Sequence, residues 1–88
     1  MAEKQVISLD QAQIGDCIEI KKIGVTGTMR RRLLDLGFVP SAKVIAIQKS
    51  PLGDPIAYQV SQTIIALRKE ESSKIFGEIV KNDSKSTD

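Results

Sequence analysis

Lys43-Val-Ile-Ala-Ile-Gln-Lys49, Ser50-Pro-Leu-Gly-Asp-Pro55, Ile56-Ala-Tyr-Gln-Val60, Ser61-Gln62 and Thr63-Ile-Ile-Ala-Leu-Arg68 follow one another without interruption. Three runs rich in β-branched residues, separated by turn-forming residues, read as a meander of antiparallel strands. In the first run both faces are apolar, Val44 and Ala46 on one and Ile45 and Ile47 on the other. In the second, Ile56, Tyr58 and Val60 alternate with Ala57 and Gln59, the pattern of a strand with one buried face. Pro51 presets one turn dihedral and Gly53 accepts a positive one, so residues 51–55 are a hairpin connection.

Towards the amino terminus, Cys17 to Ile23 gives a further strand, with Ile18 and Ile20 on one face; Ile23 breaks the period and marks a bulge or strand end. Ser8-Leu-Asp-Gln11 has capping-box spacing and predicts about one helical turn. Gly24-Val-Thr-Gly27 is a loop. Thr28 is expected to cap a helix over Met29 to Leu36 that Gly37 ends in the left-handed conformation. Met29, Leu33 and Leu36 share one face of it, widened by Leu34, and dock it on the core. Glu70 to Lys74 predicts one more helical turn, and Ile75 to Val80 a closing strand with Phe76 and Tyr58 expected in the core. Five short strands with one or two short helices predict an all-β fold, a small five-stranded SH3-like barrel over residues 6–80. The polar ends, residues 1–5 and 81–88, are expected to be mobile.

Composition narrows the function. Of 88 residues, 41% are hydrophobic and 27% charged, enough for one core and too few for two. The apolar runs Val44 to Ile47 and Ile64 to Leu67 fall far short of the ~20 residues needed to cross a bilayer. Met1-Ala-Glu-Lys-Gln5 has no signal-peptide core, so a cytoplasmic protein is expected. Histidine is absent and Cys17 is the single cysteine, which leaves no disulfide and removes the usual transition-metal ligands. No metal and no cofactor is expected. The net charge of +2 arises from mixed charges and not from a basic block, a weak basis for nucleic-acid binding.

No catalytic constellation stands out. There is no histidine for a triad, and Gly24 to Gly27 lacks the lysine of a P-loop. Asp10, Asp16, Glu19, Asp35 and Asp54 are spread over different turns and strands and read as solvated surface. Cys17, at a strand start, reads as a small half-buried residue. Arg30-Arg31-Arg32 is different: it places cations in the first turn of the expected helix, where the macrodipole disfavours them. Pairs with Asp35, three and four residues on, recover part of that cost. The remainder implies either carboxylates or carbonyls reached elsewhere on the barrel or an acidic partner. At about 100° per residue the three fan round the helix and cannot form one flat phosphate-binding face. Leu52, at the hairpin tip, is a large apolar side chain that nothing obliges to be buried, and with Asp54 beside it is a candidate partner contact.

Leu9 to Asp16, Arg31-Arg-Leu-Leu-Asp-Leu-Gly37, Pro51-Leu-Gly-Asp-Pro55 and Ile65-Ala-Leu-Arg-Lys69 together resemble the ferrous-iron transport protein A family through some 70 residues. The resemblance implies a non-enzymatic cytosolic accessory of bacterial ferrous-iron uptake. It would bind and modulate the membrane permease, transport protein B, through the cytosolic part that hydrolyses GTP, and would meet the membrane only through that partner. Arg30, Arg31, Arg32, Leu52 and Asp54 are the residues expected at such a contact. Similar domains form the carboxy-terminal part of iron- and manganese-dependent repressors, so the rival expectation is a regulatory barrel acting on a repressor or nucleic acid. The chain carries no helix-turn-helix and few rings for stacking on bases, so no nucleic acid is expected as partner. Ser41 and Ser61-Gln62 stand where the family often has glycine-containing turns.

Overall fold

Alternation in the sequence becomes burial in the structure, a computed structural model that describes residues 5–80. Ile56, Tyr58 and Val60 turn inward while Ala57 and Gln59 are half-buried; Val44 and Ala46 do the same against Ile45 and Ile47. The strands are β1 (Val6–Ser8), β2 (Cys17–Ile23), β3 (Lys43–Lys49), β4 (Ile56–Val60), β5 (Thr63–Leu67) and β6 (Ile75–Val80). A 3-10 turn, Leu9–Gln11, follows β1; α1 (Gly27–Leu36) links β2 to β3, and α2 (Lys69–Ser72) links β5 to β6.

All pairings are antiparallel, in the order β1-β6-β2-β3-β4-β5. The five strands read from the sequence are thus six among the described residues, because Val6–Ser8 adds a short edge strand to β6. Three residues give no alternation to count. The irregularity suspected near Ile23 is a bulge between Ile20 and Lys22 against β6, and a second lies between Ala46 and Gln48. Such bulges sharpen the bend of a sheet, and this one coils until β4 reaches the turn that follows β1. The hydroxyl of Tyr58, on β4, donates to the carbonyl oxygen of Leu9, just past β1, at 3.2 Å in the core. The expectation of mobile ends falls, Gln5 apart, outside the described residues.

One core fills the coil: Leu9, Ile18, Ile20, Leu33, Phe38, Val44, Tyr58, Val60 and Ile75 are fully buried or nearly so. Phe76, expected inside, is only half-buried, because Ile75 and Gly77 take the inward positions of β6; Phe38 is the buried phenylalanine. At Gly77 an added Cβ would lie 2.3 Å from the carbonyl oxygen of Glu19, so β2 and β6 approach closer there than any side chain permits. Phe38 enters the core through the end of α1. Gly37 has φ 109°, its N–H donates to Leu34 O, and the N–H of Phe38 donates to Leu33 O. That is a Schellman ending, with the apolar pair Leu33 and Phe38 packed inside it.

Both turn serines carry left-handed backbone, φ 78° at Ser41 and φ 55° at Ser61. An L-residue there costs roughly 1–2 kcal/mol, part of which glycine returns through greater freedom of the unfolded chain. Ser41→Gly and Ser61→Gly are each expected to raise stability by roughly 0.5–1 kcal/mol in urea denaturation. A loss in both would show that the serine side chains hold these turns.

Candidate partner-binding surface

α1 begins two residues earlier than its sequence suggests. Thr26, extended at φ −121° and ψ 173°, is the cap, and Thr28 lies inside the helix. Arg30, Arg31 and Arg32 therefore occupy the second turn and not the first, where the macrodipole penalty has largely faded. All three are exposed. Arg30 turns back on the barrel and donates from its guanidinium to the carbonyl oxygen of Ile23 at 3.3 Å. Among the described residues no ion pair joins Arg31 or Arg32 to Asp35; those present join Lys21 to Glu19 and Glu78.

The arginines divide between two hollows. Arg30 and Arg31 border a shallow one with Gly27, Leu34 and Asp35. Arg32 lines a groove of about 230 Å³ in which Met29 and Leu36 of α1 face Ile65 to Arg68 at the end of β5, with Glu71 of α2 closing one side. The fan expected from helical periodicity is thus present, and the three do not form one face.

Leu52 is 93% exposed at the tip of the β3–β4 hairpin. The tip is held from two directions. Gly53 N–H donates to Ser50 O at 2.8 Å and Ser50 N–H to Pro55 O at 3.1 Å, while Asp54 Oδ1 accepts the N–H of Lys69 at 2.7 Å. One carboxylate oxygen of Asp54 thus ties the hairpin to the first residue of α2, next to Arg68 of the groove.

The remaining candidates are quiet. Asp10 accepts from the hydroxyl of Ser8, Asp16 from the N–H of Gln13, and Glu19 pairs with Lys21. Among the described residues no three Cys, Asp or Glu side chains gather to hold a metal ion. Burial pushes the Cys17 thiol up, with nearby Lys43 opposing and Glu19 adding to the shift, so the thiol stays protonated and unreactive near neutral pH. Among these residues no helix is long and apolar enough to cross a membrane.

Sequence reasoning missed Arg68 and the groove wall of Met29, Leu36 and Ile65. The available signal was Ile64 and Ala66, apolar residues on the outward face of a strand with no neighbour beyond it.

Residues 7–79 match the family model described as the FeoA domain. A curated Fe(2+) transport protein A/Fe(2+) transporter FeoB fusion protein of Porphyromonas gingivalis is 30% identical over 79 residues, which are 90% of this chain and 9% of that protein. The solution structure of iron(II) transport protein A from Clostridium thermocellum superposes with a TM-score of 0.79 at 35% identity, covering 84% of this chain and 46% of that one. FeoA of Stenotrophomonas maltophilia, solved with zinc and described as a prokaryotic SH3 domain protein, gives a TM-score of 0.70 at 27% identity over 78% of this chain and 86% of that one. The chain thus spans under a tenth of the curated relative and under half of the Clostridium chain.

Proposed function

The chain belongs to the FeoA domain family, and on that premise we propose that it is a cytosolic accessory of bacterial ferrous-iron uptake that binds the permease through its cytosolic GTPase region and modulates it. The observation that carries this reading is the Porphyromonas relative, in which a transport protein A and a FeoB transporter are one polypeptide. Fusion holds two modules at high effective concentration, an arrangement that favours modules which engage each other. The surface suits that role, since the described residues offer exposed cations and an exposed leucine. The role is binding and not catalysis.

Arg30, Arg31, Arg32 and Leu52 supply the contact, with Asp54 fixing the hairpin that presents Leu52. In such interfaces an apolar anchor sets the lifetime of the complex and charges set its encounter rate.

The test is a titration of the intact chain against the soluble cytosolic domain of its own permease, with and without guanine nucleotide, at two salt concentrations. Saturable binding at both salts is expected, weakened about tenfold by Leu52→Ala and several-fold by Arg31→Glu. Absence of binding, together with salt-sensitive retention on nucleic acid, would overturn the adaptor in favour of a regulatory barrel.

A further inference from the structure

β5 is the last strand of the sheet and pairs with β4 alone. Its register fixes which backbone groups are spoken for. Val60 and Thr63 flank a two-residue turn and so form a hydrogen-bonded pair, and antiparallel alternation repeats this at Tyr58 with Ile65 and Ile56 with Leu67. The N–H and C=O of Ile64 and Ala66 therefore point away from the sheet. Natural edge strands are usually guarded by a charge, a proline or a bulge. Thr63-Ile-Ile-Ala-Leu67 has no charge and no proline, and its pairing with β4 runs without a register shift.

Along this open edge runs the groove whose other wall is α1, lined by apolar Met29 and Leu36 together with Arg32 and Arg68. Both arginines are exposed, and neither is in an ion pair among the described residues. Glu71, which accepts the backbone N–H of Arg68 at 3.0 Å, is the one acidic residue lining the groove and offsets only one of the two cations. The groove thus has unpaired backbone on one side, apolar surface on the other and an excess of positive charge.

We propose that the β5 edge and the α1 groove form a strand-addition site for an extended segment of a partner protein, one that alternates apolar residues with aspartate or glutamate. Such a segment gains backbone hydrogen bonds to Ile64 and Ala66, packs every second side chain on Met29 and Leu36, and offers carboxylates to Arg32 and Arg68. A second copy of this chain fits less well. It would bring its own Arg32, on α1, and Arg68, just past β5, to a groove that already holds two arginines, and like charges facing each other oppose pairing. The assignment does not depend on which protein supplies the strand.

The test is selection of a phage-displayed random dodecapeptide library on the intact chain, followed by titration of the enriched synthetic peptides with amide shifts as readout. Expected are sequences alternating apolar with acidic residues, with the largest shifts at Ile64 and Ala66. Ala66→Pro removes an outward N–H without touching the β4 ladder, and is expected to weaken binding about tenfold. Arg32→Glu, on an exposed helix position, is expected to weaken it about fivefold and needs no change in the sheet. Thermal unfolding confirms that each variant is folded, and should Ala66→Pro fail to fold, Arg32→Glu and the shift map decide. No enrichment, enrichment without acidic residues, or affinity unchanged in the folded variants would overturn the proposal. Self-association of the free chain through β5 would overturn it too, by giving the edge to a second copy.

Discussion

Gly77→Ala is expected to cost the domain roughly 3 kcal/mol, a large part of the stability of a fold this size, and to lower its melting temperature by roughly 12–20 °C. The reason is steric and local. The new methyl group would sit 2.3 Å from the carbonyl oxygen of Glu19 and 2.7 Å from Cγ2 of Ile18, and the nearest atom is backbone, which no rotamer change can move aside. Relief requires β2 and β6 to separate beside the bulge at Lys21, where Ile20 and Gly77 pair. Such separation would loosen the inward side chains of both strands, Ile18, Ile20 and Ile75. Urea denaturation followed by circular dichroism measures the change. A loss below about 0.5 kcal/mol, the scale of an ordinary surface substitution, would mean that the strands are not held this close in solution.

Truncation of Tyr58 is expected to cost at least as much. Tyr58→Ala should cost about 3–5 kcal/mol, since the ring is fully buried at the centre of β4. Tyr58→Phe isolates the hydroxyl: it removes one of two donors to the Leu9 carbonyl oxygen, which keeps the N–H of Ala12 at 3.0 Å, a loss of about 0.5–1.5 kcal/mol. Burial raises the Tyr58 phenol above its ordinary value near 10; the neighbouring Ser72 hydroxyl opposes this in part, while Asp10 and Asp54 add to the rise. A group whose folded value is raised favours the fold fully below its unfolded value, and that contribution is lost as pH climbs through the folded one. The wild-type advantage over Tyr58→Phe is therefore expected to hold at pH 7 and to shrink above about pH 10. Denaturation of both proteins at pH 7 and pH 11 checks it; an advantage that grew with pH would contradict the burial of the neutral phenol.

Strands β2 to β6 were legible because each carries enough β-branched residues at period two, or a turn on either side, to declare itself. β1 was not, being three residues long. The direction of β6 was misread at Phe76 for a related reason: its inward positions include Gly77, and a residue with no side chain adds nothing to a hydrophobic pattern. The start of α1 was displaced because Thr26 and Thr28 are equally good caps by type, and only the extended backbone of Thr26 separates them. At the candidate surface, the exposure of Leu52 and the fan of the arginines followed from turn chemistry and helical period. The groove did not. It arises where residues 29–36 meet residues 65–68, an adjacency set by strand order and by the coiling of the sheet.

β6 takes a place between β1 and β2 although it is the last strand of the domain to be synthesised. A nascent chain can assemble the β3–β4–β5 meander as soon as it leaves the ribosome, because those pairings are local. β2 can join that meander through β3, but β1 has no neighbour and β2 lacks its second one until residues 75–80 emerge, and until then the core lacks Ile75. Incomplete chains with core surface exposed are substrates for chaperones and prone to aggregate. Translation of this domain therefore ends in a single closing step, in which the final strand slides between two earlier ones.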